Sequence, residues 1–296
     1  MRILVMGVTG LLGSAIFSSA QDAGMEVVGT FHSESPESEG TFERLDIRDG
    51  DKFERVLDRY GPDVVINCAA MTDVDGCEQN RDEAFQINAQ APRKMAKRCR
   101  VRGIDFVQIS TDYVFNGGTE TPYTEESAPN PVQAYGQTKL AGEIGVHEVD
   151  SESLIVRTSF NYGIHGFTGQ LNGFPAWVRD QLKSEGEVSL FTDQRITPTR
   201  VGFAAQAILS LIQRGASGHF HVASSSCVTP KELGRILTES LNLKGTLHSS
   251  TMSAVDFLAE RPQYSCLATD KIAQELTESV PTVDADVSFI ARSLSD

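Results

Sequence analysis

Met1-Arg-Ile-Leu-Val-Met-Gly7-Val-Thr-Gly10-Leu-Leu-Gly13 sets a short apolar run against three glycines, and an amphipathic stretch follows at once. A buried strand that turns through glycines into a helix is the opening of a dinucleotide-binding unit. Glycines without Cβ atoms let the backbone approach a pyrophosphate, and the helix N-terminus offers free N–H groups and positive dipole. The spacing, Gly-x-x-Gly-x-x-Gly, departs from the G-x-G-x-x-G of ordinary dehydrogenases. Gly7, Thr9, Gly10, Leu11, Leu12 and Gly13 are therefore candidate cofactor contacts.

Outward from this loop, β-branched apolar runs alternate with helical periodicity, the signature of βαβ units around a parallel sheet. Strands are expected at 3–6, 26–31, 41–45, 63–68, 105–110 and 153–157. Helices are expected at 14–23, 50–60 and 81–102, with another around Tyr135 and Lys139. Past Ser159 the rhythm changes. Residues 163–173, rich in Gly, Asn and Thr, read as a loop, followed by helices at 174–184 and 201–214, a strand at 218–223, a helix at 230–241 and a polar tail. The expected fold class is α/β, a Rossmann-type doubly wound parallel sheet with a smaller C-terminal substrate-binding domain. Residues 1–160 would form the dinucleotide-binding domain, 161–296 mainly the substrate domain, and parts of 200–225 would pack on the former.

The 296 residues suffice for a sizeable core, and 40% hydrophobic content argues against disorder. A net charge of −14 without a long basic run makes nucleic acid an unlikely partner, and no apolar stretch is long enough for a membrane span. The acidic surface suits a solvated coat at high intracellular salt. Five cysteines, odd in number and without a C-x-x-C pair, suggest neither a disulfide framework nor zinc, and point to reduced thiols in a cytoplasm. No metal is expected: Asp73-x-Asp75-Gly-x-x-Glu78 lacks the oxygen ligands of a calcium loop, and His219-x-His221 lacks a third ligand. The sequence does not decide oligomeric state and is compatible with a homodimer.

Chemistry concentrates in Tyr135-Gly-Gln-Thr-Lys139, where a phenol and an ammonium lie one helical turn apart and face one site. A nearby ammonium favours the phenolate, so the tyrosine is expected to have a lowered pKa and to exchange a proton with a carbonyl or alcohol. Ser110-Thr111-Asp112 follows the fifth strand and places hydroxyls at the ligand edge, where one can donate to a substrate carbonyl. Asp46 and Ile47 follow the third strand; the acid can face an adenine amino group or cap the next helix. Cys68, Ala69 and Ala70 offer small side chains against which a flat ring can lie. The second strand ends Thr30-Phe31-His32-Ser33, with no carboxylate to repel a 2′-phosphate and no arginine to grip it. NADPH is thus mildly preferred, with NADH possible.

These blocks, together with Leu140-Ala-Gly-Glu143, Arg157-Thr-Ser159 and Tyr162-Gly163, resemble the extended short-chain dehydrogenase/reductases. Within them the likeness is greatest to the dTDP-4-dehydrorhamnose reductases, since Asp193-Gln-Arg-Ile-Thr-Pro-Thr199 and Arg261-Pro-Gln-Tyr-Ser265 also look like that group's substrate-side segments. The resemblance implies Tyr135 as general acid, Lys139 as its partner and ribose ligand, and Thr111 as donor to the substrate carbonyl. Asn88 would support the lysine through water. Thr72, Asp112, Phe160 and Arg261 would face a nucleotide-sugar substrate, although relatives carry Trp where this chain has Phe160 and favour a Pro-Arg-Pro context at Arg261. The implied reaction converts dTDP-4-dehydro-L-rhamnose to dTDP-L-rhamnose. The alternatives are another nucleotide-sugar reductase or epimerase, or a non-catalytic module like the β subunit of methionine adenosyltransferase, which shares the Tyr-Gly-x-Thr-Lys signature.

Overall fold

A computed structural model describes residues 1–294. The chain runs β1 (Arg2–Met6), α1 (Leu11–Asp22), β2 (Glu26–Phe31), β3 (Thr41–Arg44), α2 (Gly50–Tyr60), β4 (Val64–Asn67), α3 (Val74–Gln79) and α4 (Arg81–Phe85). A π-helical turn (Gln86–Gln90) then leads into α5 (Ala91–Arg102), β5 (Asp105–Thr111), α6 (Ala134–Val149) and β6 (Leu154–Thr158). The remainder comprises β7 (Asn161–Ile164), β8 (Leu171–Asn172), α7 (Phe174–Ser184), β9 (Glu187–Phe191), β10 (Thr199–Arg200), α8 (Val201–Gln213), β11 (Gly218–His221), α9 (Pro230–Ser240), β12 (Thr246–Ser250), α10 (Asp270–Glu275) and α11 (Val283–Ser293).

Seven strands form one parallel sheet in the order β11-β6-β5-β4-β1-β2-β3. β1 lies inside it, and its two neighbours lead the chain in opposite directions, which opens a crevice at the carboxyl ends of the strands. Because helices cover both faces, β1 is apolar throughout rather than alternating. Ile3 and Val5 pack with α1 and α8 on one face, while Leu4 and Met6 pack with α2 and α5 on the other. α2 shows how local sequence fixes such a helix. Asp49 caps its first turn by accepting from the Lys52 N–H, Phe53, Val56 and Leu57 line one stripe, and Gly61 ends it in the left-handed region.

After β6 the chain builds smaller layers, β10-β7-β8 and β12-β9, covered by α7, α9 and α11 around Tyr162, Leu233, Leu237, Val287 and Ile290. It also returns to the large sheet. α8 packs on α1, and β11 extends the sheet beside β6.

Several expectations need correction. The segment 163–173 is not wholly a loop: β7 and β8 pair there as an antiparallel ribbon, which glycine-rich composition hides because Gly163 and Gly173 adopt positive φ within it. The polar tail contains β12, α10 and α11, and β9 was not foreseen, since a short strand half exposed on one face carries little apolar signal. The helix expected over 81–102 is broken in register by the π turn. Cys227 and Cys266, expected to be reduced, form a disulfide with Cα atoms 5.7 Å apart. Counting cysteines could not find it, because the pair is assembled by tertiary bridging: Arg195 and Ile196 pair with Tyr264 and Val228 respectively, bringing two distant segments side by side.

α6 presses so closely on the π turn that a Cβ at Gly142 would lie 2.2 Å from the Asn88 carbonyl oxygen. Alanine would gain about 1 kcal/mol of helix propensity there, but overpacking against backbone costs about 1–3 kcal/mol. Gly142→Ala should therefore lower stability despite its better helix former; an unchanged or raised urea midpoint would contradict the close crossing.

Candidate active site

The glycine loop lies at the carboxyl end of β1. A Cβ at Gly13 would fall 2.3 Å from the Gly7 carbonyl oxygen, and one at Gly7 2.9 Å from the Ala69 backbone, so both positions require glycine. At Gly10, by contrast, the nearest atom would be 3.4 Å away, and a side chain would project into the crevice. No side chain caps α1, which leaves its first N–H groups to the cleft. This is a cradle that fits a dinucleotide pyrophosphate.

Two cavities of about 420 and about 320 Å³ share Gly7, Gly10, Cys68, Ala70 and Thr72 and form one continuous cleft. Thr9, His32, Asp46, Ile47 and Ala69 line its outer half. Leu11, Leu12, Gly13, Thr111, Asp112, Tyr135, Lys139 and Phe160 line its inner half. Burial pushes the Cys68 thiol up to about 12, so it serves as a neutral, apolar wall. Phe160, at φ 45, holds a backbone conformation rare for an aromatic residue, with its ring 5.4 Å from that of Phe174.

Two of the expected residues lie elsewhere. The Asn88 amide donates to the Met71 carbonyl at 2.9 Å and to Thr138 Oγ1 at 3.2 Å, while its oxygen accepts from the Met71 N–H at 2.9 Å. It thus ties the π turn to the strand-four loop and to α6. Arg261 pairs with Asp75 at 3.1 Å, donates to the Ala259 carbonyl at 2.9 Å and sits over the Phe257 ring, outside the cleft lining. Its guanidinium anchors the 257–261 loop to α3.

The catalytic candidates meet at the end of β5. Lys139, fully buried, donates from Nζ to the Ile109 carbonyl at 2.6 Å. Burial pushes its ammonium down to about 8, with Glu143 opposing the fall. Tyr135 does not show the expected lowering: burial drives its phenol above its ordinary value, and a hydrogen bond with Thr111 only partly counters this. The charge of Lys139 is directed to a carbonyl, so desolvation of the ring dominates. Thr111 Oγ1 also donates to Asp112 at 3.1 Å, and Ser159 Oγ donates to the other Asp112 oxygen at 2.8 Å. Burial raises Asp112 to about 6, against the pull of hydroxyls from Ser265, Ser159 and Thr111.

At the outer end, Asp46 does not cap the following helix, a role taken by Asp49. Arg48 grips Asp46 through Nε at 3.0 Å and Nη2 at 2.7 Å and reaches Glu83 at 3.1 Å; the Arg48 hydrogen bonds pull Asp46 down to about 2. His32 stands 3.5 Å from the same carboxylate. The absence of an arginine was thus a local reading only, since Arg48 lines this cavity from a different segment.

Sequence reasoning also passed over the pair beneath the site. Arg157 donates from Nε to Glu143 Oε1 at 3.0 Å and from Nη2 to Oε2 at 2.6 Å, and both residues are fully buried. The signal was available: Tyr135, Lys139 and Glu143 recur every four residues on one helix face. His219 adds a contact to Glu143 at 3.5 Å, whereas His221 is buried edge-on to Phe115 and kept neutral by burial. Among the described residues no group of His, Cys, Asp or Glu is arranged to hold a metal.

A glycine cradle joined to a tyrosine and lysine on one helix face, under a doubly wound sheet, defines an NAD(P)-dependent oxidoreductase. The chain belongs to the RmlD substrate binding domain family, which matches residues 1–294. It is similar to a probable low-salt glycan biosynthesis reductase of Haloferax volcanii, 44% identical over 297 residues that cover 100% of this chain and 99% of the relative. The crystal structure of a dTDP-4-dehydrorhamnose reductase from Clostridium acetobutylicum has the same fold, with TM-score 0.89, 30% identity and 100% of each chain covered. A dTDP-4-dehydrorhamnose reductase from Bacillus anthracis, solved in complex with NADP, gives TM-score 0.87 at 27% identity over 98% of each chain.

Hydrogen bonds from His219 and Arg157 hold Glu143 below the ordinary glutamate value of 4.5, against the desolvation that would raise it. Its stabilisation is therefore full above about pH 4.5 and is lost as pH falls below that. Glu143→Gln leaves Arg157 charged and unpaired, and should cost about 3–5 kcal/mol. Urea unfolding at neutral and acid pH checks both points: the variant should be less stable at pH 7 and should show a shallower acid decline.

Proposed function

We propose that this protein reduces the 4-keto group of dTDP-4-dehydro-L-rhamnose to give dTDP-L-rhamnose, with NADPH as the preferred reductant. The observation that carries the reading is the convergence of Tyr135, Thr111 and Lys139 at the inner end of a cleft that has the glycine cradle at its middle. NADPH, when bound, supplies the hydride. Gly7, Gly10 and the first turn of α1 would hold its pyrophosphate, the wall at Cys68–Ala70 a flat ring, and Lys139 the ribose hydroxyls.

The protein's own residues manage the proton. Tyr135, kept neutral by burial, is a donor to the oxygen on which negative charge develops, and Thr111 offers a second hydroxyl to that atom. The Lys139 ammonium, held at the Ile109 carbonyl one helical turn from Tyr135, would favour the state in which the phenol has given up its proton. Phe160, Thr72 and Asp112 border the space left for the sugar. The names of the reductases to which this chain is similar support keto-sugar reduction, and the rhamnose product is the finer step of the proposal.

NADPH oxidation with dTDP-4-dehydro-L-rhamnose, beside other dTDP- and UDP-linked keto-sugars, tests the assignment. Turnover restricted to a sugar of a different configuration or base would sink it. In the same assay Tyr135→Phe should reduce kcat by about two orders of magnitude or more while NADPH binding by titration stays nearly intact. Lys139→Met should weaken both, because one ammonium serves ribose binding and proton transfer.

A further inference from the structure

The reading of the outer cavity as a cofactor site leaves open how the chain tells a phosphorylated from an unphosphorylated adenosine ribose, and the β2–β3 pairing supplies a candidate. β3 pairs in parallel with β2 so that Arg44 is the register partner of Phe31, and the Leu45 N–H donates to the Phe31 carbonyl at 2.8 Å. This places Arg44 beside the exit of β2, where His32 lines the cavity. Arg44 Nε donates to the His32 carbonyl oxygen at 2.9 Å. The neighbouring arginines are committed: Arg48 to Asp46 and Glu83, and Arg59 to Glu43. Among the described residues Arg44 makes no ion pair, so its guanidinium is anchored by one nitrogen with its two terminal nitrogens uncommitted, on an exposed rim of a protein carrying net charge −14.

We propose that Arg44 is the residue that reads the 2′-phosphate of NADP. A phosphomonoester dianion is matched by a planar guanidinium fork, which a lysine does not reproduce. Asp46, the one carboxylate among the described residues that line this cavity, is held in a bidentate pair by Arg48, which removes the repulsion that selects for NAD in many Rossmann enzymes. His32 completes the rim with an imidazole that faces the same opening. The cation that the end of β2 lacks in sequence is therefore delivered across the sheet by its edge strand.

The assignment rests on the cofactor reading above, and the test separates the two. Calorimetric titration of the full chain with NADP⁺ and with NAD⁺, in the absence of any sugar, should show tighter binding of NADP⁺. Arg44→Ala should weaken NADP⁺ by about 10- to 100-fold, the scale of one or two charge-assisted hydrogen bonds, and leave NAD⁺ within about 2-fold on the same reasoning. Arg44→Lys should recover only part of the loss, and adenosine 2′,5′-bisphosphate should follow NADP⁺ while adenosine 5′-monophosphate follows NAD⁺. Equal weakening of NADP⁺ and NAD⁺ would show that Arg44 merely secures the His32 carbonyl, and unchanged NADP⁺ affinity would dismiss it altogether; both overturn the proposal while leaving the reductase reading intact. A wild-type chain that binds neither dinucleotide overturns both.

Discussion

The buried pair of Arg157 and Glu143 is the constraint on which the site geometry depends. Arg157 belongs to β6, next to the strand that ends in Thr111, and Glu143 belongs to the helix that carries Tyr135 and Lys139. Two parallel hydrogen bonds between buried groups therefore fix the angle between α6 and the sheet, and with it the distance from hydroxyl to phenol. Such a pair does not come free, since both ions must be desolvated, and a well-packed apolar substitute can be as stable. What the ionic version supplies is direction: a guanidinium and a carboxylate match in only a few orientations, whereas leucines pack in many. The same carboxylate opposes the desolvation that would strip the proton from Lys139.

The molecule divides its labour across the cleft, but not by cutting the chain once. The elements before Ser159 carry the glycine loop and the helix face of Tyr135 and Lys139. The later half lines the inner cavity with Phe160 and Asn161, then sends α8 and β11 back to the first sheet. Ser159 reaches Asp112 from the turn after β6. The hydroxyl shelf at the end of β5 is thus assembled from two separated stretches of chain.

Legibility in the sequence followed the range of the interaction that decides each feature. β2 and α2 are plain in the sequence because local periodicity and caps determine them, and the Gly7–Gly13 turn because only glycine survives contacts of 2.3 and 2.9 Å. The Tyr135–Lys139 face is a property of one helical turn. By contrast, Arg48 meets Asp46 and Glu83 through a fold that residue order does not display, and Arg44 comes to His32 only through strand pairing. The raised Tyr135 pKa is invisible to spacing, because charge proximity is local while desolvation is a property of the whole surrounding shell. β8 and β9 escaped for the opposite reason: they are short, and their stability comes from what covers them rather than from their own residues.

The π turn at Gln86–Gln90 gives the chain an accounting property of its own. A π turn holds one residue more than α-helical geometry needs, and here that widened turn carries Asn88, whose carbonyl oxygen faces Gly142 and whose side chain spans to Met71. Removing one residue would restore an uninterrupted α-helix and leave the faces on either side in phase, because the extra residue is absorbed inside the widened turn. Met95, Ala96 and Cys99 would still face the sheet, and the loss would be local: the Asn88 side chain's hold on Met71 and Thr138, and the backbone oxygen against which Gly142 packs. The length of this turn is therefore set by the loop and the helix that it joins, not by the helix in which it lies.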